Sequence, residues 1–219
     1  LIVNTWITFN LIRKERVDFV VSRINPGVVL AAWLLRKRQI VLTDTEVAGF
    51  YDAFFCKFAN SLLTASSFER QLRKDQIRYH ANIELFYLHP NHFKPMQEEA
   101  YQLLKLKRGT PYVIVRFVTW QAFHDKGHTG LSLENKLRVV YEMEKYANIF
   151  ISAEGNSLPP ELEKYRITIP LEKMHIVLNE AVLFLGEGGS MDSESAMLGT
   201  PAIYINDIWP GSTNEEEKY

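Results

Sequence analysis

A single cysteine, Cys56, stands among 219 residues. No intramolecular disulfide is available, and a reducing, cytoplasmic setting is the expectation. Long apolar runs are missing as well. The longest, residues 28–35, has eight residues before Arg36-Lys37-Arg38, against roughly 18 for a helix that spans a bilayer. No signal-peptide pattern opens the chain. Neither charge is in excess: 25 Lys and Arg against 26 Asp and Glu give −1, so the basic field that nucleic acid or an anionic membrane calls for is absent. No low-complexity tract or short repeat interrupts the chain. What is present is apolar: 47% hydrophobic and 12% aromatic residues suffice for a sizeable core and exclude disorder. The length fits one large domain or two small ones. The chain opens on Leu1 and closes on Glu215-Glu216-Glu217-Lys218-Tyr219, and both ends read as edges of a longer protein.

Short β-branched runs alternate with amphipathic stretches. Strands are expected at residues 17–21, 40–43, 62–64, 83–88, 111–118, 149–152, 167–169, 182–185 and 201–205. Helices are expected at 26–35, with proline in the first turn, and at 47–58, 66–74, 133–146, 172–179 and 191–198. The helix at 66–74 rests on a Ser66–Glu69 capping-box spacing. The segment His89-Pro90-Asn91-His92-Phe93-Lys94-Pro95 breaks the alternation. The boundary is placed there, giving domains 1–92 and 93–219 with the break as their hinge. Strands alternating with helices imply parallel sheets with right-handed crossovers. The expected fold is therefore α/β with two Rossmann-like parallel-sheet domains.

The strongest local signal is Leu183-Phe184-Leu185-Gly186-Glu187-Gly188-Gly189-Ser190-Met191-Asp192-Ser193-Glu194, a strand, a glycine-rich turn and a helix start. Glycines let backbone N–H groups approach an anion, and the helix N-terminus adds partial positive charge. Ser190 can cap the helix or contact a phosphate oxygen. Glu194, one turn in, can accept both hydroxyls of a ribose. A tight strand–helix connection with a serine cap is the simpler alternative, and the acidic Glu187 sits awkwardly beside a phosphate.

Other strand ends carry chemistry too. Thr43-Asp44-Thr45-Glu46 offers two acids, either as a general base or as the cap and first turn of the next helix. Arg116 lies in an apolar strand, a costly place without an anionic partner, and can pair with phosphate in bidentate fashion. His124 beside Asp125 can shuttle a proton. His128 shares the glycine-containing loop, whose spacing does not make a metal site. That loop is expected to close over substrate. Glu154-Gly155 ends a further strand, as a ligand contact or a plain turn. Cys56, among Phe54, Phe55 and Phe58, reads as a packed helix residue.

The run from Gly188-Gly189-Ser190 through Glu194 to Leu198-Gly199-Thr200-Pro201 resembles the nucleotide-sugar loop of the UDP-N-acetylglucosamine 2-epimerases. That family's pattern is Asp-Ser-Gly-Gly, two residues, Glu-Glu-Ala, two residues, Leu-Gly-x-Pro. Ile169-Pro170-Leu171-Glu172-Lys173-Met174-His175-Ile176 resembles the family's uracil-holding Pro-Leu-Asp segment, at a matching separation. The whole chain is similar to an uncharacterised bacterial and archaeal GT-B family grouped with these epimerases and with GT-B glycosyltransferases. Its marks are Thr43-Asp44-Thr45-Glu46, Tyr87-Leu88-His89-Pro90-Asn91, Arg116-Phe117-Val118-Thr119-Trp120 and His124-Asp125.

The resemblance implies that Gly188, Gly189 and Ser190 meet a diphosphate, Glu194 the ribose, and Met174, His175 and Ile176 the base through backbone groups. The epimerases' catalytic histidine has Val118-Thr119-Trp120 in its place, and their second glutamate after Asp44 has no clear match. The expectation is a UDP-sugar glycosyltransferase of surface polysaccharide synthesis with a sugar or lipid-linked acceptor, domain 1–92 being the acceptor and catalytic side. Epimerisation, with Asp44 or Glu46 and His124 exchanging a proton, and binding without chemistry are the alternatives. No cofactor or metal is expected beyond the nucleotide sugar. Asp44, Arg116, Glu154 and Gly188 are expected to line one inter-domain crevice.

Overall fold

Two separate four-stranded sheets, all parallel, organise the chain in the computed structural model, which describes residues 1–44, 53–118, 130–153 and 158–206. The first sheet lies in a unit spanning Leu1–Ile83, and the second in a unit that begins at Glu84. Among the described residues no single sheet joins them, as the alternating pattern predicts. The division precedes the 89–95 break because Tyr87 already bonds within the second unit, to Glu194.

In the first unit β1 (Phe19–Arg23), β2 (Arg38–Thr43), β3 (Ser61–Ala65) and β4 (Ile77–Tyr79) follow one another in sheet order. Helix α2 (Pro26–Leu34) starts where Asn25 Oδ1 accepts from the Gly27 and Val28 N–H groups at 3.0 and 3.3 Å, with proline as its first helical residue. Helix α1 (Ile2–Lys14), which the strand pattern did not anticipate, crosses α2 so closely that a Cβ on Gly27 would lie 2.9 Å from Asn4 Cβ. Val29, Val41, Cys56, Ala59 and Leu62 form one core cluster, so Cys56 is a packed residue. Buried Gln39 ties the layers together by donating to the Val29 and Phe58 carbonyls at 3.2 and 3.0 Å.

Three expected elements differ. The capping-box helix at 66–74 does not form. Arg78 donates to the Phe68 and Arg70 carbonyls, Arg73 to those of Cys56 and Ala59, and Gln76 Oε1 accepts from the Leu72 N–H. The Arg78 and Gln76 side chains thus satisfy backbone groups that a helix would pair internally, while Arg73 is held by carbonyls outside the segment. The strand expected at 83–88 is instead a helix of four residues, α3 (Leu85–Leu88), since a short apolar run has no diagnostic period. The strand expected at 167–169 reduces to one parallel bridge between Ile151 and Arg166. Half of the expected helix at 47–58, residues 47–52, lies outside the described residues; 53–55 are helical and Cys56–Phe58 is a 3-10 turn.

In the second unit β5 (Tyr112–Phe117), β6 (Asn148–Ala153), β7 (Leu183–Gly186) and β8 (Ala202–Tyr204) are ordered β6-β5-β7-β8. Helices α4 (Gln97–Leu103), α5 (Leu133–Met143), α6 (Met174–Glu180) and α7 (Gly189–Met197) complete it. Alternate residues of β5 feed two cores. Tyr112 and Ile114 join Tyr101, Val177 and Phe184, while Val113, Val115 and Phe117 join Val140, Ile149 and Leu185. Burial on both faces accounts for the continuous apolar run. No helix among the described residues is long and apolar enough to cross a membrane.

The Tyr112 hydroxyl, buried in this core, donates to the Val177 carbonyl at 2.7 Å, and burial raises the phenol's pKa. Tyr112→Phe is expected to lower stability by about 1–3 kcal/mol, because it leaves a buried carbonyl without this donor. Denaturant midpoints at constant slope test this, and an unchanged midpoint would show the bond to be idle.

Candidate functional site

The sheet order of the second unit fixes where a ligand belongs. The chain leaves β5 for β6 on one side and returns as β7 on the other, both paired to β5. The topological switch point therefore lies at the carboxyl ends of β5 and β7, where open α/β sheets bind ligands.

The glycine-rich turn sits there. Gly186 pairs with Arg116 across the sheet, and a Cβ on it would lie 2.5 Å from Phe184 Cζ and 3.1 Å from Arg116 Cβ. A Cβ on Gly188 would lie 3.3 Å from Val118 Cγ1. Helix α7 begins at Gly189 with Gly188 as its N-cap and no side-chain cap bond. Ser190 is exposed in the first turn, so the simpler reading of it as the helix cap is not realised. Gly188 has no side chain and so supplies no cap acceptor to the first N–H groups of this nine-residue helix, the arrangement in which a helix N-terminus can meet an anion.

Arg116 reaches the same strand end. It lies on the face of β5 shared by Tyr112 and Ile114 and is half-buried. Its Nη1 donates to Ser152 Oγ on β6 at 2.7 Å, and its stem passes 4.0 Å from the Cβ position of Gly188. The guanidinium is thereby held by β6 while its stem lies beside the turn.

Glu194 gathers two further elements. Its Oε1 accepts from the Tyr87 hydroxyl of α3 at 2.9 Å and lies 3.1 Å from His175 Nε2 of α6. The Tyr87 and His175 rings are 5.5 Å apart. Met174 and Ile176 are buried in the core, so of the segment expected near the base only His175 turns its side chain toward Glu194. Tyr87 stands in one of the family-like marks, Tyr87-Leu88-His89-Pro90-Asn91, but is not among the expected site residues, because nothing in its local spacing points to a partner 107 positions away. Also missed was Glu187, whose carboxylate is turned inward. It accepts from the Val118 and Leu131 N–H groups and faces Lys136.

In the first unit Asp44 follows β2 and pairs with Arg23, Oδ1 to Nη2 at 2.5 Å. Glu46, His124, Asp125 and Glu154 lie outside the described residues. The structure thus sets Arg116 beside Gly186 and Gly188, and Glu194 beside His175 and Tyr87, all within the second unit. Among the described residues no group of three or more His, Cys, Asp or Glu could hold a metal ion.

No protein-family model and no curated protein sequence matches the chain. Solved structures do. The UDP-GlcNAc 2-epimerase of Neisseria meningitidis, bound to UDP-GlcNAc, is 11% identical with a TM-score of 0.63, over 98% of this chain and 66% of its own. The MnaA–UDP structure from S. aureus is 12% identical with a TM-score of 0.61, over 92% of this chain and 61% of its own. Acinetobacter baumannii MurG is 17% identical with a TM-score of 0.51, over 98% of this chain and 60% of its own. The chain thus spans somewhat less than two thirds of these proteins. The likeness establishes the fold: two Rossmann-like units of the GT-B type, as in these structures.

Proposed function

We propose that the second unit binds the UDP portion of a nucleotide sugar and that the protein is a glycosyltransferase-like enzyme of surface polysaccharide synthesis. The observation that carries this reading is the meeting, at the topological switch point, of the glycine-rich turn that opens α7 with the stem of Arg116, with Glu194 further along the same helix. Backbone N–H groups and the guanidinium suit a diphosphate, and a carboxylate suits the ribose hydroxyls. In the transfer an acceptor hydroxyl attacks the anomeric carbon, the bond from that carbon to the β-phosphate oxygen breaks, and UDP leaves. The hydroxyl's proton goes to a base, for which the sequence offers Asp44, Glu46, His124 and Asp125. The acceptor is a sugar or a lipid-linked sugar, and the setting is cytoplasmic.

Epimerisation at the sugar is the second reading. It is favoured by the higher TM-scores to the epimerase structures than to MurG. Incubation of the protein with UDP-sugars, with and without acceptor, followed by NMR, separates the possibilities. Acceptor-dependent UDP release supports transfer, a new epimer supports the second reading, and UDP binding without turnover leaves a non-catalytic binder. Absence of UDP binding would overturn all three.

With Arg116 and backbone donors neutralising the leaving diphosphate, chelation by EDTA is expected to leave turnover unchanged. Loss of turnover restored by a divalent cation would overturn that assignment of charge.

A further inference from the structure

Glu187 lies one residue before the turn, yet its side chain is wholly buried. Its Oε2 accepts from the Val118 N–H at 3.0 Å and its Oε1 from the Leu131 N–H at 2.7 Å. Residue 118 is where the chain leaves β5, and residue 131 is where it arrives at α5. Lys136 Nζ stands 3.4 Å from Oε2 and 4.7 Å from the centre of the Phe117 ring, and its side chain is only 13% exposed. The backbone of Glu187 is fixed as well: its N–H donates to the Arg116 carbonyl at 3.1 Å, and its carbonyl accepts from Asn206 Nδ2 at 3.0 Å. A single acid therefore joins the ends of β5, β7 and β8 and the start of α5. Two amide donors and an ammonium neutralise its charge, so it does not repel an anion at the neighbouring turn.

We propose that Glu187 is a positioning residue for the anion-binding turn. Its carboxylate ties the turn to both sides of the 119–130 segment, so affinity for a nucleoside diphosphate at Gly188–Ser190 depends on a side chain that does not reach the ligand. The ligand rests on the nucleotide reading above; the tie does not. Only a carboxylate has the acceptors for the task. A carboxamide offers one oxygen, and its NH2 would face an N–H donor or the Lys136 ammonium.

The test is Glu187→Gln, followed by NMR-detected amide exchange and by calorimetric titration with UDP. The expected result is exchange at least about tenfold faster at Val118 and Leu131, with Val113 and Val115 of β5 still protected. UDP affinity is expected to fall about tenfold, the equivalent of one lost buried hydrogen bond. Unchanged exchange at both amides, an equal loss of protection throughout β5, or unchanged UDP affinity would each overturn the proposal. Wild-type protein that fails to bind UDP overturns the nucleotide reading and the affinity dependence with it, while the exchange rates still decide whether the carboxylate makes the tie. Glu187→Asp keeps the charge beside Lys136 but shortens the reach, and serves if Glu187→Gln does not fold. Lost protection at one of the two amides then supports the tie, and full protection at both overturns it.

Discussion

Glu194→Ala is expected to abolish most of the thermal stabilisation that UDP confers, while the protein without ligand unfolds at nearly its original temperature. A ligand present at 100 times its dissociation constant stabilises a protein by about 2.7 kcal/mol. Two hydrogen bonds from ribose hydroxyls to a carboxylate contribute roughly 1.5–3 kcal/mol each. Their loss weakens binding by roughly 100-fold or more, enough to remove nearly all of the shift. Folding is affected little because Glu194 sits partly exposed on α7, and its partners Tyr87 and His175 also reach solvent. Tyr87→Phe removes one donor to Oε1 and leaves the carboxylate in place, so only a small decrease in the UDP shift is expected from it. The measurement is the unfolding midpoint with and without UDP. A full-sized shift in Glu194→Ala would take Glu194 out of the nucleotide site.

The two-sheet architecture was legible because it rests on local pattern. The apolar runs at 112–117 and 183–186 read as strands since both faces of each are covered by helices, and the glycines that follow mark the turn into α7. Placing Arg116 and Gly188 at strand ends was enough to bring them together, because parallel strands of one sheet end on one edge. Legibility stopped where contacts skip far along the chain. Tyr87 and Glu194 are 107 positions apart, and Glu187 reaches partners 69 and 56 positions away. No spacing rule encodes such pairs, and so Glu187 looked like an obstacle to an anion when its carboxylate faces inward. The opposite failure occurred at Ser66 and Glu69. The capping spacing is present, but Arg78, Arg73 and Gln76 supply competing partners that the local pattern cannot weigh.

Arg116→Met is expected to lower kcat/KM for the UDP-sugar by roughly 100- to 1000-fold, the range seen when one donor to a developing anionic charge is removed. Methionine keeps the apolar stem that packs beside Gly186 and Gly188 and deletes only the guanidinium, so the fold and the register of β5 with β7 should persist. Ser152, a buried residue, loses a donor in the variant, at a stability cost of about 1 kcal/mol that leaves the fold in place. If the guanidinium acts on charge that grows as the diphosphate departs, the loss falls on kcat more than on KM, since ground-state binding retains the helix N-terminus and Glu194. Arg116→Lys restores the charge without the planar fork, and it is expected to recover only part of the activity. Steady-state kinetics of the three proteins decide the matter. Equal kcat in wild type and Arg116→Met, with KM alone raised, would make Arg116 a binding residue; no change in either constant would remove it from the site.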